Sequence, residues 1–204
     1  MTLAARAEQT RYNVFHWRYG LSVPVKVALA VGIAGLTGLL AQVRVPWAPV
    51  PFTCQTLAVL LAGVLLGKWW GGISMAIYGG LGAAGIPWFQ SLNGGAAYLA
   101  GPTGGYIIGF ILAALFLGYV SDKYVQSRRF YSVLGLMLFA SLIIVYVPGL
   151  VWLSVWMHIV KGQAVSFSSV LLAGAVPFIG GDVAKSVAAA LIARGITPRA
   201  DYRK

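Results

Sequence analysis

The chain has 204 residues, of which 59% are apolar and 9% are charged, and its mean hydropathy is +0.83. Soluble domains carry far more charge, so these values predict an integral membrane protein without a soluble domain. The net charge of +11 could indicate a nucleic-acid ligand, but the basic residues gather in the two tails and in two loops between apolar runs. That distribution is typical of the cytoplasmic segments of a membrane protein, which argues against nucleic-acid binding.

The apolar runs predict an all-α fold with six transmembrane helices, each near the ~20 residues that cross the hydrocarbon core. Residues 10–20 are polar, basic and aromatic, unlike a signal peptide, and residues 1–22 are predicted to form a cytoplasmic segment. An even number of spans places the basic tail 195–204 in the cytoplasm as well. The membrane domain 23–194 is predicted to contain spans at 23–43, 52–66, 69–84, 104–120, 130–147 and 177–193.

The connecting regions carry further predictions. An uncharged, aromatic segment at 85–103 lies on the predicted outer side of the membrane. The fifth span could continue past Pro148. Between residues 158 and 175, Ser166 or Ser168 is suited to cap a short helix at the outer surface. Pro177 then suits the first turn of the last span.

Asp182 and Lys185 are the most informative residues, because no other charge lies between residues 162 and 193. At membrane depth each costs roughly 2.5–3.5 kcal/mol, and a spacing of three puts both on one helix face. Such a pair normally faces the protein interior, where it binds a ligand, forms an ion path or neutralises itself. The last span starts on the outer side, so the pair falls in its outer third, near Arg44 at the outer end of the first span. These groups predict an outward-facing pocket for a small ligand.

Each of these residues also has a purely structural interpretation. Asp182 and Lys185 could form a self-satisfied ion pair, and Arg44 could be an interfacial residue whose charged head reaches the membrane surface. Trp88 and Tyr98, in the outer segment, could belong to the aromatic belt that marks membrane interfaces. The sequence leaves these alternatives open.

Two further patterns concern partners and chemistry. Ala30 and Ala34 in the first span form a small-xxx-small ridge that admits a close helix, either of this chain or of a partner. Catalysis has little support, since Asp182 is the only one of four carboxylates inside an apolar span and no acid–base pair is available there. His16 and His158 have no neighbours at ligand spacing, so no metal site is predicted.

Several short motifs follow one another along the chain: Arg44-Val45-Pro46, Pro49-Val50-Pro51-Phe52-Thr53-Cys54-Gln55-Thr56, Leu60-Leu61-Ala62-Gly63 through Leu66-Gly67, Gly85-Ile86-Pro87 before Gly94-Gly95, Gly101-Pro102-Thr103-Gly104-Gly105-Tyr106, and Pro177-Phe178 with Asp182 and Lys185. In this order they resemble the BioY family, the biotin-specific membrane subunits of energy-coupling-factor (ECF) transporters. The resemblance extends from about residue 25 to residue 195.

The resemblance implies a six-helix substrate-binding subunit of the plasma membrane, which captures biotin from outside and holds no cofactor. ATP hydrolysis is then expected on two partner ATPase subunits, joined through a transmembrane coupling subunit. In this family the coupling subunit meets an Ala-xxx-Ala ridge, which here corresponds to Ala30 and Ala34. The residues that match the family's biotin contacts are Arg44, Asp182, Lys185 and, in the outer segment, Asn93, for which Gln90 or Ser91 is the alternative.

The chemistry of biotin is compatible with these positions. Asp182 could accept a hydrogen bond from a ureido N–H, and Lys185 could donate to the ureido oxygen or balance Asp182. Arg44 could pair with the carboxylate, while Trp88 and Tyr98 could cover the apolar portion. Two other hypotheses remain. One is a self-sufficient secondary transporter of a small carboxylate-bearing vitamin, with Asp182 as a proton or ion relay; the other is a membrane enzyme or scaffold without a reversible ligand.

Overall fold

A computed structural model describes residues 3–162 and 164–198, which form a helical bundle with one short β-ribbon. The main elements are α1 Leu3–Gly20, α2 Val23–Gln42, β1 Arg44–Val45, β2 Phe52–Thr53, α3 Gln55–Ala83, α4 Ala96–Leu99, α5 Gly104–Lys123, α6 Phe130–Phe139, α7 Tyr146–Lys161, α8 Phe167–Gly174 and α9 Ile179–Ile196. Short 3-10 turns occupy Gln90–Leu92, Val125–Arg128 and Val176–Phe178. The all-helical membrane fold is therefore confirmed, and the end of the predicted tail, 199–204, lies outside the described residues.

Helices long and apolar enough to cross a bilayer account for most of the described chain. There are five such stretches within it: Val23–Gln42, Gln55–Ala83, Gly104–Lys123, Phe130–Val160 and Phe167–Ile196. Of these, the stretches that contain α3 and α5 are the most deeply buried and pack against each other, so they form the centre of the bundle.

Helix α3 reverses direction at Gly67. This residue has φ +80° and ψ 178°, a conformation that is essentially restricted to glycine. The side chain of Gln55 donates to the hydroxyl of Tyr78 at 2.6 Å, although a straight helix would separate these residues by about 34 Å. A Cβ built on Gly71 would lie 2.9 Å from the carbonyl oxygen of Ala62. The two arms, 55–66 and 68–83, are thus antiparallel, and the break falls between the second and third predicted spans.

The N-terminal segment forms helix α1, which is attached to this reversal through Arg18. The guanidinium donates to the carbonyls of Val64 (3.5 Å) and Leu65, at the end of the first arm, and forms an ion pair with Asp122 at 3.2 Å. Asp122 in turn accepts from the backbone N–H of Lys68 at 3.1 Å. These bonds satisfy backbone groups that helix ends leave without intrahelical partners. We call this end of the bundle the elbow end, and the opposite end, with β1, β2 and residues 85–103, the ribbon end.

Helices α6 and α7 form one continuous stretch, joined by a π-helical turn at Ala140–Val145. Pro148 lies just after this turn. Proline lacks an N–H donor, and its ring clashes with the carbonyl four residues before it, so a wider turn at this point relieves the helix. The predicted continuation of the fifth span past Pro148 is confirmed, and the helix extends to Lys161.

The predicted short helix before the last span is α8. The hydroxyl of Ser166 accepts from the backbone N–H of Ser169 at 3.3 Å, which makes Ser166 rather than Ser168 the N-cap. Pro177 lies in the 3-10 turn Val176–Phe178, where its fixed φ suits the approach to α9. These turns bring the start of α9 to the ribbon end.

Ala30 and Ala34 pack inside the chain, which corrects the prediction that they face a partner. Both are fully buried, and the carbonyl of Ala30 accepts from the hydroxyl of Ser74 on α3 at 2.8 Å. The small residues on the uncovered side of α2 are instead Gly32 and Gly35, where a Cβ would meet no other described atom within 4 Å. Spacing alone could not distinguish the two faces, because small residues occur on both.

Candidate functional site

A cleft of about 580 Å³, counting its open mouth, lies at the ribbon end between the ribbon and the tops of α3, α5, α7 and α9. Its walls are largely apolar and aromatic, and its polar groups lie at its deep end and at its mouth. The lining residues are Val50, Pro51, Phe52, Thr53, Gln55, Thr56, Tyr78, Gln90, Tyr98, Thr103, Tyr106, Ile107, Phe110, Val145, Tyr146, Phe178, Asp182 and Lys185.

The deep end of the cleft holds the two buried charges in one hydrogen-bonded cluster. Nζ of Lys185 lies 2.5 Å from Oδ1 of Asp182, and it also donates to the Thr53 carbonyl at 2.7 Å and the Thr56 hydroxyl at 2.6 Å. Oδ1 of Asp182 accepts from Thr56 at 3.0 Å, while Oδ2 accepts from the hydroxyl of Tyr146. The ion pair is therefore formed without a ligand, and hydroxyl groups from two other helices hold it in place.

Sequence reasoning missed Thr56 and Tyr146 as members of this cluster. Thr56 belongs to the first turn of α3, and Tyr146 follows the π-helical turn between α6 and α7. Each is a single hydroxyl within an apolar run, where an interfacial position or a bond to its own backbone is equally plausible. The motif around residues 49–56 was the available signal for Thr56, whereas no comparable motif marks Tyr146.

A second polar group lines the cleft beside the first. The hydroxyl of Thr53 donates to Oε1 of Gln55 at 2.7 Å, and the amide of Gln55 donates to the hydroxyl of Tyr78 at 2.6 Å. Gln55 thus bonds to a neighbouring helical segment, and its amide also borders the space available to a ligand.

Phe52 closes one side of the deep end. Its ring centroid lies 4.2 Å from Nζ of Lys185 and 6.1 Å from the ring of Phe178. A Cβ at Gly181 would overlap the Phe52 ring, so glycine at that position gives the ring its room. The antiparallel pairing of Val45 with Phe52 carries this aromatic side chain on the ribbon. A cation next to an aromatic face and a desolvated ion pair make a site with strong, fixed electrostatics.

The mouth of the cleft carries Gln90 and Tyr98, with Arg44 beside them. Arg44 is exposed and lines an adjoining surface depression that shares Pro51 and Gln90 with the cleft. Burial raises the pKa of Tyr98, while the positive charge of Arg44 acts against that shift. A phenol with an ordinary or raised pKa is protonated at neutral pH, so the Tyr98 hydroxyl is able to donate a hydrogen bond there.

Trp88 and Asn93 do not line the cleft. The indole N–H of Trp88 donates to the carbonyl of Tyr78 at 2.9 Å, and its side chain packs behind Tyr78 over Gly38. The amide of Asn93 is exposed and donates to the backbone carbonyl of Gln90 at 2.9 Å. Of the three alternatives Gln90, Ser91 and Asn93, Gln90 is the one that borders the cleft.

Gln42 fixes the segment that carries Gln90. Its amide donates to the carbonyls of Gly38 (3.0 Å) and Phe89 (3.0 Å), and its oxygen accepts from the backbone N–H of Leu92 at 3.0 Å. The same segment contains two non-glycine residues with positive φ, Ser91 at 61° and Leu92 at 56°. A backbone held in this uncommon conformation needs outside support, which the Gln42 side chain supplies.

The fold and the cleft together define a class of protein, a helical membrane protein with a small-molecule cleft that opens at one end of the bundle. The lining of this cleft is polar at the deep end and apolar in the middle. Comparison with known families narrows this class. The model of the BioY family matches residues 13–202, so the chain belongs to the BioY family.

Individual relatives agree with this assignment. The chain is 46% identical over 142 residues to a protein named probable biotin transporter BioY of Methanothermobacter thermautotrophicus, covering 70% of this chain and 90% of that one. It is 41% identical over 153 residues to the biotin transporter BioY of Thermotoga maritima, covering 75% and 84% of the two chains. A crystal structure of the S-component for biotin from an ECF-type ABC transporter superposes with a TM-score of 0.73 at 26% identity, covering 85% of this chain and 93% of that one.

Proposed function

We propose that this protein is the biotin-binding S-component of an ECF-type transporter, a transport subunit rather than an enzyme. The observation that carries the proposal is the buried Asp182–Lys185 cluster at the deep end of an otherwise apolar cleft. Membership of the BioY family and the likeness to a biotin S-component support the identity of the ligand.

The ureido ring of biotin would occupy the deep end. A carboxylate offers about four acceptor positions, and three of those on Asp182 are taken by Thr56, Lys185 and Tyr146. One ureido N–H can therefore bond to Asp182 without breaking the cluster. All three donors of Lys185 are engaged, so the ureido oxygen would replace one of its present acceptors. Binding in this mode exchanges partners within the cluster and leaves no charge unpaired.

The bicyclic ring and the valeryl chain would lie between the aromatic walls, and the carboxylate would reach the mouth. There Arg44 supplies the positive charge, with Gln90 and Tyr98 as neutral partners. Because Arg44 is exposed, its pairing with a carboxylate is screened by solvent and is expected to add about 1 kcal/mol or less. Affinity in this arrangement comes mainly from the deep end.

The direct test is to purify the protein from cells without added ligand and identify the bound small molecule by mass spectrometry. Titration calorimetry of the stripped protein then compares biotin with 2-iminobiotin, in which the ureido oxygen is replaced, and with biotin methyl ester. Loss of affinity for 2-iminobiotin with near-full binding of the ester is expected. Equal affinity for biotin and 2-iminobiotin would contradict the deep placement of the ureido group.

A single variant tested with two ligands, biotin and its methyl ester, tests the mouth of the cleft separately. Arg44→Gln should weaken biotin binding by a few-fold and leave binding of the methyl ester unchanged, because the ester lacks the charge that Arg44 would pair with. If the variant weakens both ligands equally, the Arg44 side chain acts through the fold of the ribbon instead of through the carboxylate.

The proposal includes the arrangement in the membrane. We propose six spans in the plasma membrane, formed by α2, the two arms of α3, α5, the α6–α7 stretch and α9, with both termini cytoplasmic and the cleft facing outward. The positive-inside distribution supports this orientation, since it places the basic elbow end in the cytoplasm. A transmembrane coupling subunit and two ATPase subunits would supply the energy, with the uncovered side of α2 around Gly32 as the contact.

Transport without ATPase partners is the competing mechanism, in which Asp182 acts as a proton or ion relay. Uptake of labelled biotin in cells distinguishes the two. Dependence on ATP with tolerance of a dissipated proton gradient is expected for an S-component, and the opposite pattern for a secondary transporter.

A further inference from the structure

A groove at the elbow end, opposite the cleft, combines basic and aromatic side chains with apolar ones. It lies between the start of α2, the reversal of α3 and the junction of α1 with α2. The residues that line it are Arg18, Tyr19, Lys26, Leu29, Leu66, Lys68, Trp69, Trp70 and Asp122.

Two lysines in this groove, Lys26 and Lys68, keep their charge available. Nζ of Lys26 donates to the backbone carbonyl of Tyr19 at 3.0 Å. Nζ of Lys68 lies 4.4 Å from the ring centroid of Trp69 and 5.2 Å from that of Tyr119. Within 3–162 and 164–198, neither lysine takes part in an ion pair with a carboxylate. Both therefore retain donors and charge that an anion can use.

The acidic residue of the groove does not cancel this charge. Asp122 is paired with Arg18 at 3.2 Å and also accepts from the backbone N–H of Lys68. Both oxygens of the Asp122 carboxylate are thus bonded within the elbow. Arg18 is bonded in turn to Asp122 and to two backbone carbonyls. The positive charges of Lys26 and Lys68 are therefore not neutralised by Asp122, and both can attract an anionic ligand.

The position of the groove favours a lipid over a dissolved anion. Lys26 belongs to the first turn of a stretch long and apolar enough to span a membrane, and Lys68 lies at the turn of another. Trp69, next to it, is 66% exposed, as expected for an interfacial tryptophan. Leu29 and Leu66 supply apolar lining in the same groove, and Leu29 is exposed. Basic pockets between transmembrane helices at the cytoplasmic side are a known form of lipid-headgroup site.

We propose that this groove binds the headgroup phosphodiester of an anionic phospholipid, with Lys26 and Lys68 on the phosphate oxygens and the acyl chains along Leu29 and Leu66. The site would hold the elbow at the membrane surface. It is independent of the ligand bound in the cleft.

Native mass spectrometry of the detergent-purified full chain tests the proposal by titration with phosphatidylglycerol and, separately, phosphatidylcholine of the same acyl chains. The wild type should bind the first lipid preferentially. Lys26→Gln and Lys68→Gln should each weaken that binding by about fivefold, and the double variant by about 25-fold. One basic residue near an anionic headgroup changes the binding constant by about fivefold, and the two effects should multiply. Lys26→Arg with Lys68→Arg should retain it.

Arg129→Gln is the matched control, since it removes one positive charge from an exposed position at the same end outside the groove. Equal weakening in this control would indicate diffuse attraction and overturn the site. Equal binding of the two lipids by the wild type would do the same.

Two further outcomes would also overturn the lipid assignment. If millimolar inorganic phosphate displaces the lipid in a lysine-dependent manner, the groove is a site for a free anion. If lipid binding is unaffected but recruitment of a coupling subunit depends on the two lysines, the groove belongs to an acidic protein segment. Size-exclusion profiles verify folding, and the Lys68→Gln single variant, which removes no bond to the backbone, serves if the double variant misfolds.

Discussion

Removal of the buried charges singly and together gives different results for a ligand site and for a purely structural ion pair. The perturbations are Asp182→Asn, Lys185→Met and the double variant. The two side chains are only 5% and 11% exposed, so removal of one partner leaves the other as an uncompensated charge in a poorly solvated place. Such single removals cost roughly 3–5 kcal/mol, whereas replacement of the whole pair is often nearly neutral.

The remaining hydrogen bonds decide where each single variant falls in that range. After Lys185→Met, Asp182 keeps the hydroxyl donors of Thr56 and Tyr146, which places this variant near the lower value. After Asp182→Asn, the ammonium of Lys185 keeps only neutral acceptors, Thr53 and Thr56, and the cost is nearer the upper value. At about 2–4 °C per kcal/mol for a chain of this size, the singles should melt roughly 6–20 °C below the wild type, and the double should recover most of that loss.

Biotin binding separates the two explanations. In the double variant, the ureido oxygen loses its donor on Lys185 and the ureido N–H meets a neutral amide in place of the Asp182 carboxylate. At about 1–3 kcal/mol for each loss, affinity should fall by roughly 30-fold or more. The assay is thermal unfolding followed by calorimetric titration of all four proteins. A double variant that melts like the wild type and binds biotin with near-native affinity would refute the assignment of Asp182 and Lys185 as ligand contacts.

Three other changes probe the elbow, the orientation and the partner surface. Gly67→Ala should destabilise the protein by about 1–3 kcal/mol, because φ is +80° and a Cβ would lie 2.5 Å from the Asp122 carboxylate. The control Gly80→Ala, in the same helix with open space around it, should be neutral or slightly stabilising in the same melting assay. In a cysteine-free background, a cysteine at Asn93 should react with an impermeant reagent in intact cells and one at Arg129 should not; reaction at Arg129 would refute cytoplasmic placement of that loop. Gly32→Trp should abolish ATP-driven uptake with biotin binding unchanged, because its position on α2 is uncovered, and normal uptake would exclude this surface as the coupling contact.

The positions of the helices could be predicted because strong local signals mark them. Lys68 and the glycine before it interrupt a long apolar run, and the reversal occurs at that glycine. Ser166 begins a short helix as a capping hydroxyl should, and Pro148 is accommodated inside a helix by a wider turn before it. Each of these features depends on a few neighbouring residues, which is why the sequence contains the information.

The site could be predicted only in part, because its members meet across distant elements. Asp182 and Lys185 were visible as rare charges in an apolar span. Tyr146 was not, because one tyrosine in an apolar run carries no local sign of its partner. In the uncharged segment 85–103, no periodicity indicates which side chains turn inward, so Trp88 and Gln90 could not be told apart by pattern.

The reversal of α3 also determines how deep the cleft lies in the bilayer. The arm 55–66 measures about 18 Å from the elbow to its open end, whereas the hydrocarbon core is roughly 30 Å thick. With the elbow at the cytoplasmic surface, as proposed, this arm alone does not cross the bilayer, and the ribbon and residues 85–103 continue the structure from its open end toward the outer surface. Irregular backbone is tolerated at that depth only where protein buries it or where it lines a cavity. Ordinary surface loops accept insertions and deletions, whereas residues of these two segments line the cleft, so we expect a change in their length to alter the shape of the cleft itself.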